Sequence, residues 1–250
     1  MSSAMPCGTP LIRCLMKDKM NSLLSIKNLT VAVGAKEIVH DVSFDVPRGK
    51  IVAIAGASGS GKTTIGLSIL RLLPCALSVK QGSIIFEGQD LLELPTEKMR
   101  QCRGARIGMV FQEPLSAFDP LFTIGRQCDE VLAAHTKLSK QERYKKVLDA
   151  LTEAELSDPK RAYKSFPHQL SGGMRQRAMV AQAMVCGPSL IIADEPTSSL
   201  DITLQVKIME LFARLKKKNI SILLISHDLE MISHLADELV VLQKPAEVFQ

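Results

Sequence analysis

Apolar residues recur in two rhythms along the first part of this chain. Between residues 24 and 46 they alternate with polar ones in short stretches around Gly34, and Pro47, Arg48 and Gly49 then supply a turn. Alternation at period two marks half-buried strands, so this region is read as antiparallel, a meander at the edge of a larger sheet. Residues 51–55 form instead an unbroken apolar run of Ile, Val and Ala, the pattern of a strand buried on both faces. A glycine-rich turn follows, then residues 62–73, where Ile65, Ile69 and Leu72 sit at helical spacing until Pro74 stops them. Residues 83–86 and 107–111 return to strand patterns. Two further apolar runs, 190–193 and 220–225, are joined by a helix over about 204–217. Strands separated by helices predict an α/β fold with a mostly parallel sheet and right-handed crossovers.

Between residues 113 and 187 the pattern changes. Helix formers dominate, with polar stretches at 137–146 and 157–164, and the segment is read as an all-helical insertion. A chain of 250 residues is long enough for one α/β unit carrying such an insertion. The domain is therefore placed at 20–250. Residues 1–19 lack an apolar stretch of signal-peptide length, because Arg13 interrupts Leu11-Ile12 and Cys14-Leu15-Met16. They are read as a leader or disordered tail, with Met20 as an alternative start. The apolar runs fall far short of the ~18 residues that a membrane-spanning helix needs.

Composition removes several classes. A hydrophobic share of 46% beside 23% charged residues excludes wholesale disorder. The net charge of +5 is spread along the chain, with no dense basic block interleaved with aromatics and no Trp, so nucleic acid is not an expected partner. Six cysteines (Cys7, Cys14, Cys75, Cys102, Cys128 and Cys186) form no Cys-x-x-Cys pair, which argues against a zinc site or disulfide framework.

Three segments carry chemistry. Gly56, Ala57, Ser58, Gly59, Ser60, Gly61, Lys62, Thr63 and Thr64 match the phosphate-loop pattern Gly-x4-Gly-Lys-Ser/Thr, between a buried strand and a helix as that motif requires. The glycines let backbone N–H groups turn toward phosphates, Lys62 neutralises phosphate charge, and Thr63 offers a hydroxyl to Mg²⁺. The run 190–193 ends in Asp194 and Glu195. At the carboxyl edge of a parallel sheet, Asp194 is placed to orient the water shell of Mg²⁺ and Glu195 to act as general base toward a γ-phosphate. Ser171, Gly172 and Gly173 open a third helix, with Ser171 as a natural N-cap.

These residues resemble one superfamily. Ser171-Gly-Gly-x-x-Gln176 is similar to the signature of ATP-binding cassette (ABC) proteins, and it falls between phosphate loop and acidic strand in their order. Gln112, after Val110-Phe111, is similar to their Q-loop, Ser199-Leu200-Asp201 to their D-loop, and Ser226-His227-Asp228 to their switch histidine. The resemblance runs from residue 24 to about 241. It implies a P-loop NTPase core with a mostly parallel sheet, an antiparallel β subdomain and an inserted helical (signature) subdomain. It also implies that two such domains meet head to tail. Each ATP is then held by the phosphate loop of one and by Ser171, Gly172, Gly173 and Gln176 of the other, with Asp201 in the same interface. Gln112 and His227 would report on the γ-phosphate, with Gln112 also at Mg²⁺.

Finer matches resemble the peptide/nickel importer branch: residues 111–120 (Phe-Gln-Glu-Pro-Leu-Ser-Ala-Phe-Asp-Pro), 122–125, 167–177 and 192–197. In that branch the helical insertion receives a short coupling helix from a membrane permease, and a binding protein delivers peptide or metal. The resemblance thus implies an ATPase subunit of an importer for peptides or nickel, at the cytoplasmic face of the membrane. The alternative is an ATPase subunit of a soluble enzyme complex such as the phosphonate C–P lyase machinery. Two positions depart from the pattern. Val33 stands where these proteins usually carry an aromatic that stacks on adenine, which predicts weaker or less base-selective binding. After residues 240–243 the chain runs into 244–250 without the branch's glycine-containing hairpin and tail.

Overall fold

A computed structural model describes residues 22–198 and 200–242. The leader, the question of Met20, Ser199 of the D-loop match and the stretch after residue 242 lie outside the described residues. The chain runs β1 (Ser22–Val33), β2 (Lys36–Pro47), β3 (Ile51–Gly56), α1 (Lys62–Ile69), β4 (Leu77–Phe86), β5 (Gln89–Asp90), α2 (Thr96–Cys102) and β6 (Ile107–Val110). A helical stretch follows: α3 (Pro114–Ala117), α4 (Ile124–His135), α5 (Lys140–Glu153), α6 (Pro159–Lys164) and α7 (Gly172–Met184). Then come β7 (Leu190–Asp194), α8 (Ile202–Lys217), β8 (Ser221–Ile225), α9 (Leu229–Leu235) and β9 (Glu238–Leu242).

The alternating region is not the edge of a larger sheet. It forms a sheet of its own, in the order β2-β1-β4-β5 and antiparallel throughout. The reason lies in β1, which is paired along both edges and buries Leu29, Thr30, Val31 and Ala32 in succession, as an edge strand would not. The other five strands form the parallel sheet, in the order β6-β7-β8-β3-β9.

Alternation along these strands now has two targets. Ile51, Ala53, Ala55, Ile191, Ala193, Ile222 and Leu224 pack with buried residues of α4, α5, α7 and α8. Val52, Ile54, Ile192, Leu223 and Ile225 pack with the antiparallel sheet and α1. Each fully buried Val, Leu or Ile contributes about 1.5–3 kcal/mol, so neither face has room for a polar residue. The unbroken apolar runs follow from that.

Local chemistry places the helices. Ser139 opens α5 with a complete capping box against Glu142, and Thr123, Asp158, Ser171, Asp201 and Asp228 each cap a helix through the side chain. The far end of α7 lies so close to β6 that a Cβ on Gly108 would come within 2.3 Å of the Ala183 carbonyl oxygen. Only glycine permits that approach.

Helix α1 is shorter than its apolar spacing predicts, ending at Ile69 and not near Leu73. Arg71 turns left-handed (φ 52), and the Arg103 guanidinium takes up the freed carbonyls of Leu70 (2.7 Å) and Arg71 (3.2 Å). A side chain distant in sequence therefore ends the helix before Pro74 does. Among the described residues no helix is long and apolar enough to cross a membrane. Cys75, Cys102, Cys128 and Cys186 are free thiols, and burial pushes Cys128 up to about 12, out of reactive range.

Candidate functional site

Strand order brings residues distant in sequence to one edge. Asp194 pairs with Ile225 and Ile225 with Ile54, so the carboxyl ends of β7, β8 and β3 are neighbours. From them leave the glycine-rich loop, the Glu195 turn and the Ser226-His227 segment, with Gln112 just beyond β6. This is the edge at which open α/β sheets bind ligands. An open cleft of about 410 Å³ lies there, lined by Gly59, Gly61, Lys62, Thr63, Thr64, Gln112, Glu195 and His227 among others.

The loop is shaped by close approach. Gly59 and Gly61 are left-handed (φ 79 and 88), and a Cβ on Gly61 would strike Val39 and the Ile38 carbonyl. Gly61 also stands at the N-cap of α1 and offers no side-chain cap, so the first N–H groups of that helix are left for an anion. The Lys62 ammonium is buried to 6% exposure and donates to the carbonyls of Gly56 (2.8 Å) and Ala57 (3.1 Å). Among the described residues it has no carboxylate partner, and the Ser60 hydroxyl, also buried, has no hydrogen-bond partner. A buried cation, an unpaired hydroxyl and an uncapped helix start together fit a phosphate group.

Acidic and amide groups form the opposite wall. Thr63 Oγ1 donates to Asp194 Oδ1 at 3.1 Å. Burial pushes the Asp194 carboxyl above its ordinary range, the neighbouring charge of Glu195 adds to this, and the Thr63 hydroxyl and Lys62 oppose it. Glu195 has a left-handed backbone (φ 44), a conformation that costs a non-glycine residue about 1–3 kcal/mol. Its N–H donates to the Ile225 carbonyl (2.8 Å), while its own carbonyl accepts from the Ser198 N–H and hydroxyl. The turn aims the side chain at two partners: Oε1 lies 3.0 Å from His227 Nδ1, and Oε2 lies 3.5 Å from Gln112 Nε2. With Glu195 ionised, the first contact puts the proton of His227 on Nδ1.

Other expected site residues stand apart. Ser171, Gly172, Gly173, Gln176 and Asp201 do not line the cleft. Ser171 caps α7, accepting from the Met174 N–H at 3.3 Å, and Asp201 caps α8, accepting from the Leu204 N–H at 3.0 Å. Gly173 packs against Leu204, so the starts of α7 and α8 touch. Gln176 is buried within the helical packing. Residues that the sequence did not single out also shape the site. Ile38 contributes the cleft wall from β2. Gln205 Nε2 donates to the carbonyls of Thr197 and Leu200 and braces the turn after Glu195. Nothing in their local pattern marks either one, since both act across the fold.

The glycine loop and the acidic strand end fall within a family match. The family described as ABC transporter matches residues 39–198. The chain belongs to this ABC family, as one of its ATPase cassettes. The dipeptide transport ATP-binding protein DppD of Bacillus subtilis is 43% identical over 92% of this cassette and 71% of its own length. The oligopeptide transport ATP-binding protein OppD of the same organism is 39% identical, with 90% of this cassette covering 64% of that protein. The peptidoglycan transport ATP-binding protein YejF of Agrobacterium fabrum is 44% identical, and the cassette spans 42% of its length. In three dimensions, the dimeric post-hydrolysis state of the ATP-binding cassette MJ0796 bound to ADP and Pi superposes with a TM-score of 0.78 at 29% identity, covering 88% of this chain and 94% of that one.

Proposed function

We infer that this cassette hydrolyses ATP to drive peptide uptake through a membrane permease. One observation carries the mechanistic part: Glu195, His227 and Gln112 converge within 3.0–3.5 Å beside the uncapped start of α1 and the buried ammonium of Lys62. Lys62 and the backbone N–H groups of residues 59–64 hold the β- and γ-phosphates. The Glu195 carboxylate takes the proton of the attacking water, and His227, donating from Nδ1, holds that carboxylate in place beside the γ-phosphate. The strained Glu195 backbone keeps the base aimed while the triphosphate is bound.

The donor set beside this cluster suits Mg²⁺. Thr63, Asp194 and Gln112 present a hydroxyl, a carboxylate and an amide oxygen, hard donors that leave most positions to water and phosphate. Among the described residues no three His, Cys, Asp or Glu side chains converge on a metal position, so a cation here has few protein ligands, as Mg²⁺ does beside phosphates. When bound, Mg²⁺ supplies charge neutralisation of the phosphates, and it would offset the desolvation that burdens Asp194.

The cleft is open on one side, and Ser171, Gly172 and Gly173 present a second helix start outside it. A second cassette facing the first head to tail brings its own Ser171 segment over the triphosphate, and the simplest such partner is another copy of this chain. The exposed apolar residues Ile202, Val206 and Leu229, at the starts of α8 and α9, support a covered surface beside the site. An open groove of about 490 Å³ along α4, bordered by Arg103, Phe122, Val131 and His135, suits a short permease helix. It communicates with Gln112 through residues 113–122. Attachment through the permease places the cassette at the cytoplasmic face of the membrane, with a binding protein delivering substrate outside. The peptide assignment follows the names of the relatives.

Co-purification tests this. A tagged chain should bring down multi-span permease subunits from detergent-solubilised membranes, and its ATP hydrolysis there should rise several-fold with a peptide-loaded binding protein. A soluble assembly without membrane subunits would replace transport by a soluble enzyme complex.

A further inference from the structure

We propose that Gln205 is a positioning residue for the reaction, its side-chain amide locking the turn that aims the Glu195 carboxylate. This rests on the reading of Glu195 as general base and adds a residue outside the cleft on which that base depends. The Glu195 backbone is left-handed (φ 44), a conformation that a non-glycine residue keeps only where its surroundings over-determine it. On the strand side the restraint is the Glu195 N–H, which donates to the Ile225 carbonyl at 2.8 Å. Beyond Glu195 the chain leaves the sheet for α8, and it must be held there as firmly. Its local contacts are the Ser198 N–H and hydroxyl donating to the Glu195 carbonyl (3.3 and 3.2 Å) and the Leu200 N–H donating to the Thr197 carbonyl (3.1 Å). All three are longer than the strand-side bond.

Gln205 supplies the missing restraint from α8. Its Nε2 donates to the carbonyls of Thr197 and Leu200, each at 3.2 Å, so both amide hydrogens are used. Carbonyls only accept, and this fixes the amide with its nitrogen toward the turn. From the other side the hydroxyl of the buried Thr197 donates to Met231 Sδ on α9 at 3.2 Å. Thr197, two residues beyond Glu195, is thereby pinned between α8 and α9. Sulfur is a weak acceptor, so the amide bridge is the stronger of the two holds. Without it two carbonyls lose a donor, the turn relaxes, and the Glu195 backbone can leave its strained region. The carboxylate then swings away from His227 Nδ1 (3.0 Å) and Gln112 Nε2 (3.5 Å). Gln205 itself does not line the cleft but a separate groove between α8 and α9, so it reaches the reaction only through this turn. The phosphate-binding start of α1 is untouched.

The test is phosphate release and ATP binding by the full chain in Mg²⁺ buffer. Gln205→Leu, close in size but without the amide, should lower kcat about ten- to hundredfold while leaving ATP affinity within about twofold. Gln205→Glu sets an acceptor-only carboxylate against two carbonyls. It should be as slow at about pH 8 and, relative to the parent chain at the same pH, recover at least about threefold by about pH 6, as protonation restores one donor. Added to Glu195→Gln, Gln205→Leu should cost nothing further, because the group it positions is already gone. The proposal is overturned by a kcat in Gln205→Leu within about twofold of the parent, or by a parallel loss of affinity in both Gln205 variants. No recovery of Gln205→Glu at low pH, or an additive loss in the double variant, would overturn it equally. Normal turnover in Glu195→Gln alone would instead remove the assigned base, and this proposal with it.

Discussion

Helices α1 and α7 both start at glycine-rich segments, yet their first turns have opposite surroundings. At α1 the N-cap is Gly61, which satisfies no donor, and Lys62, Thr63, Asp194, Glu195 and His227 gather around the exposed N–H groups. At α7 the N-cap is Ser171, which does satisfy a donor, and its neighbour is the apolar Leu204. The helix dipole and free N–H groups are common to both starts. What differs is the company of charged and proton-accepting side chains. A helix start therefore becomes a reaction site only where strand order delivers those side chains. In the proposed head-to-tail pair, the start of α7 serves as half of a site whose other half lies on another molecule.

Variants on the two sides should separate accordingly. The largest effect is expected from Glu195→Gln, which keeps the shape of the turn but removes the base: hydrolysis should fall by about 10²–10⁴-fold while nucleotide binding persists, measured by phosphate release and equilibrium binding. Normal turnover would show that Glu195 is not the base. Lys62→Ala removes the buried ammonium, and charge-assisted hydrogen bonds contribute about 1.5–3 kcal/mol each, so affinity should drop roughly ten- to hundredfold in a binding titration. Ser171→Arg should leave binding to the isolated chain unchanged and lower hydrolysis at least about tenfold by obstructing the second face. Equal loss of binding in both variants would erase the distinction between the helices.

The smallest effect should appear far from either helix start, at Asp237. Burial alone would raise this carboxyl, but the Ile51 N–H and the ammonium groups of Lys216 and Lys50 outweigh it and hold it below the ordinary range. A lowered carboxyl stabilises the fold above the unfolded-state range and loses that contribution as pH falls through the native value. Asp237→Asn should thus flatten the acid side of thermal stability by about 1 kcal/mol or less and leave hydrolysis alone, as read from melting curves at several pH values.

Legibility in the sequence divides along the same physical line. Strands β3, β7 and β8 stood out because burial on both faces leaves an unbroken apolar run, and the phosphate loop because steric need confines glycine to a few positions. Ser171 was recognisable as a cap, since capping is a contact between near neighbours. The early end of α1 was hidden, because Arg103 supplies its terminal contacts from another part of the chain. The apolar pattern alone put the antiparallel strands at the edge of a larger sheet, since alternation along β1 does not say which strands pair with it, and their separate subdomain came through the family resemblance. Ile38 and Gln205 act on the cleft only through tertiary placement. His227 was singled out through a family order of motifs, and its approach to Glu195 appears only when β7 and β8 are laid side by side.

The central claim is that α1 of one cassette completes its site with α7 of a second. Mixing two impaired variants, Lys62→Ala and Ser171→Arg, tests it most directly. In a head-to-tail pair the Ser171→Arg chain contributes an intact phosphate loop and the Lys62→Ala chain an intact α7, so one whole site is rebuilt. Phosphate release should return in the mixture well above the sum of the separate chains. A mixture no more active than that sum would contradict the account.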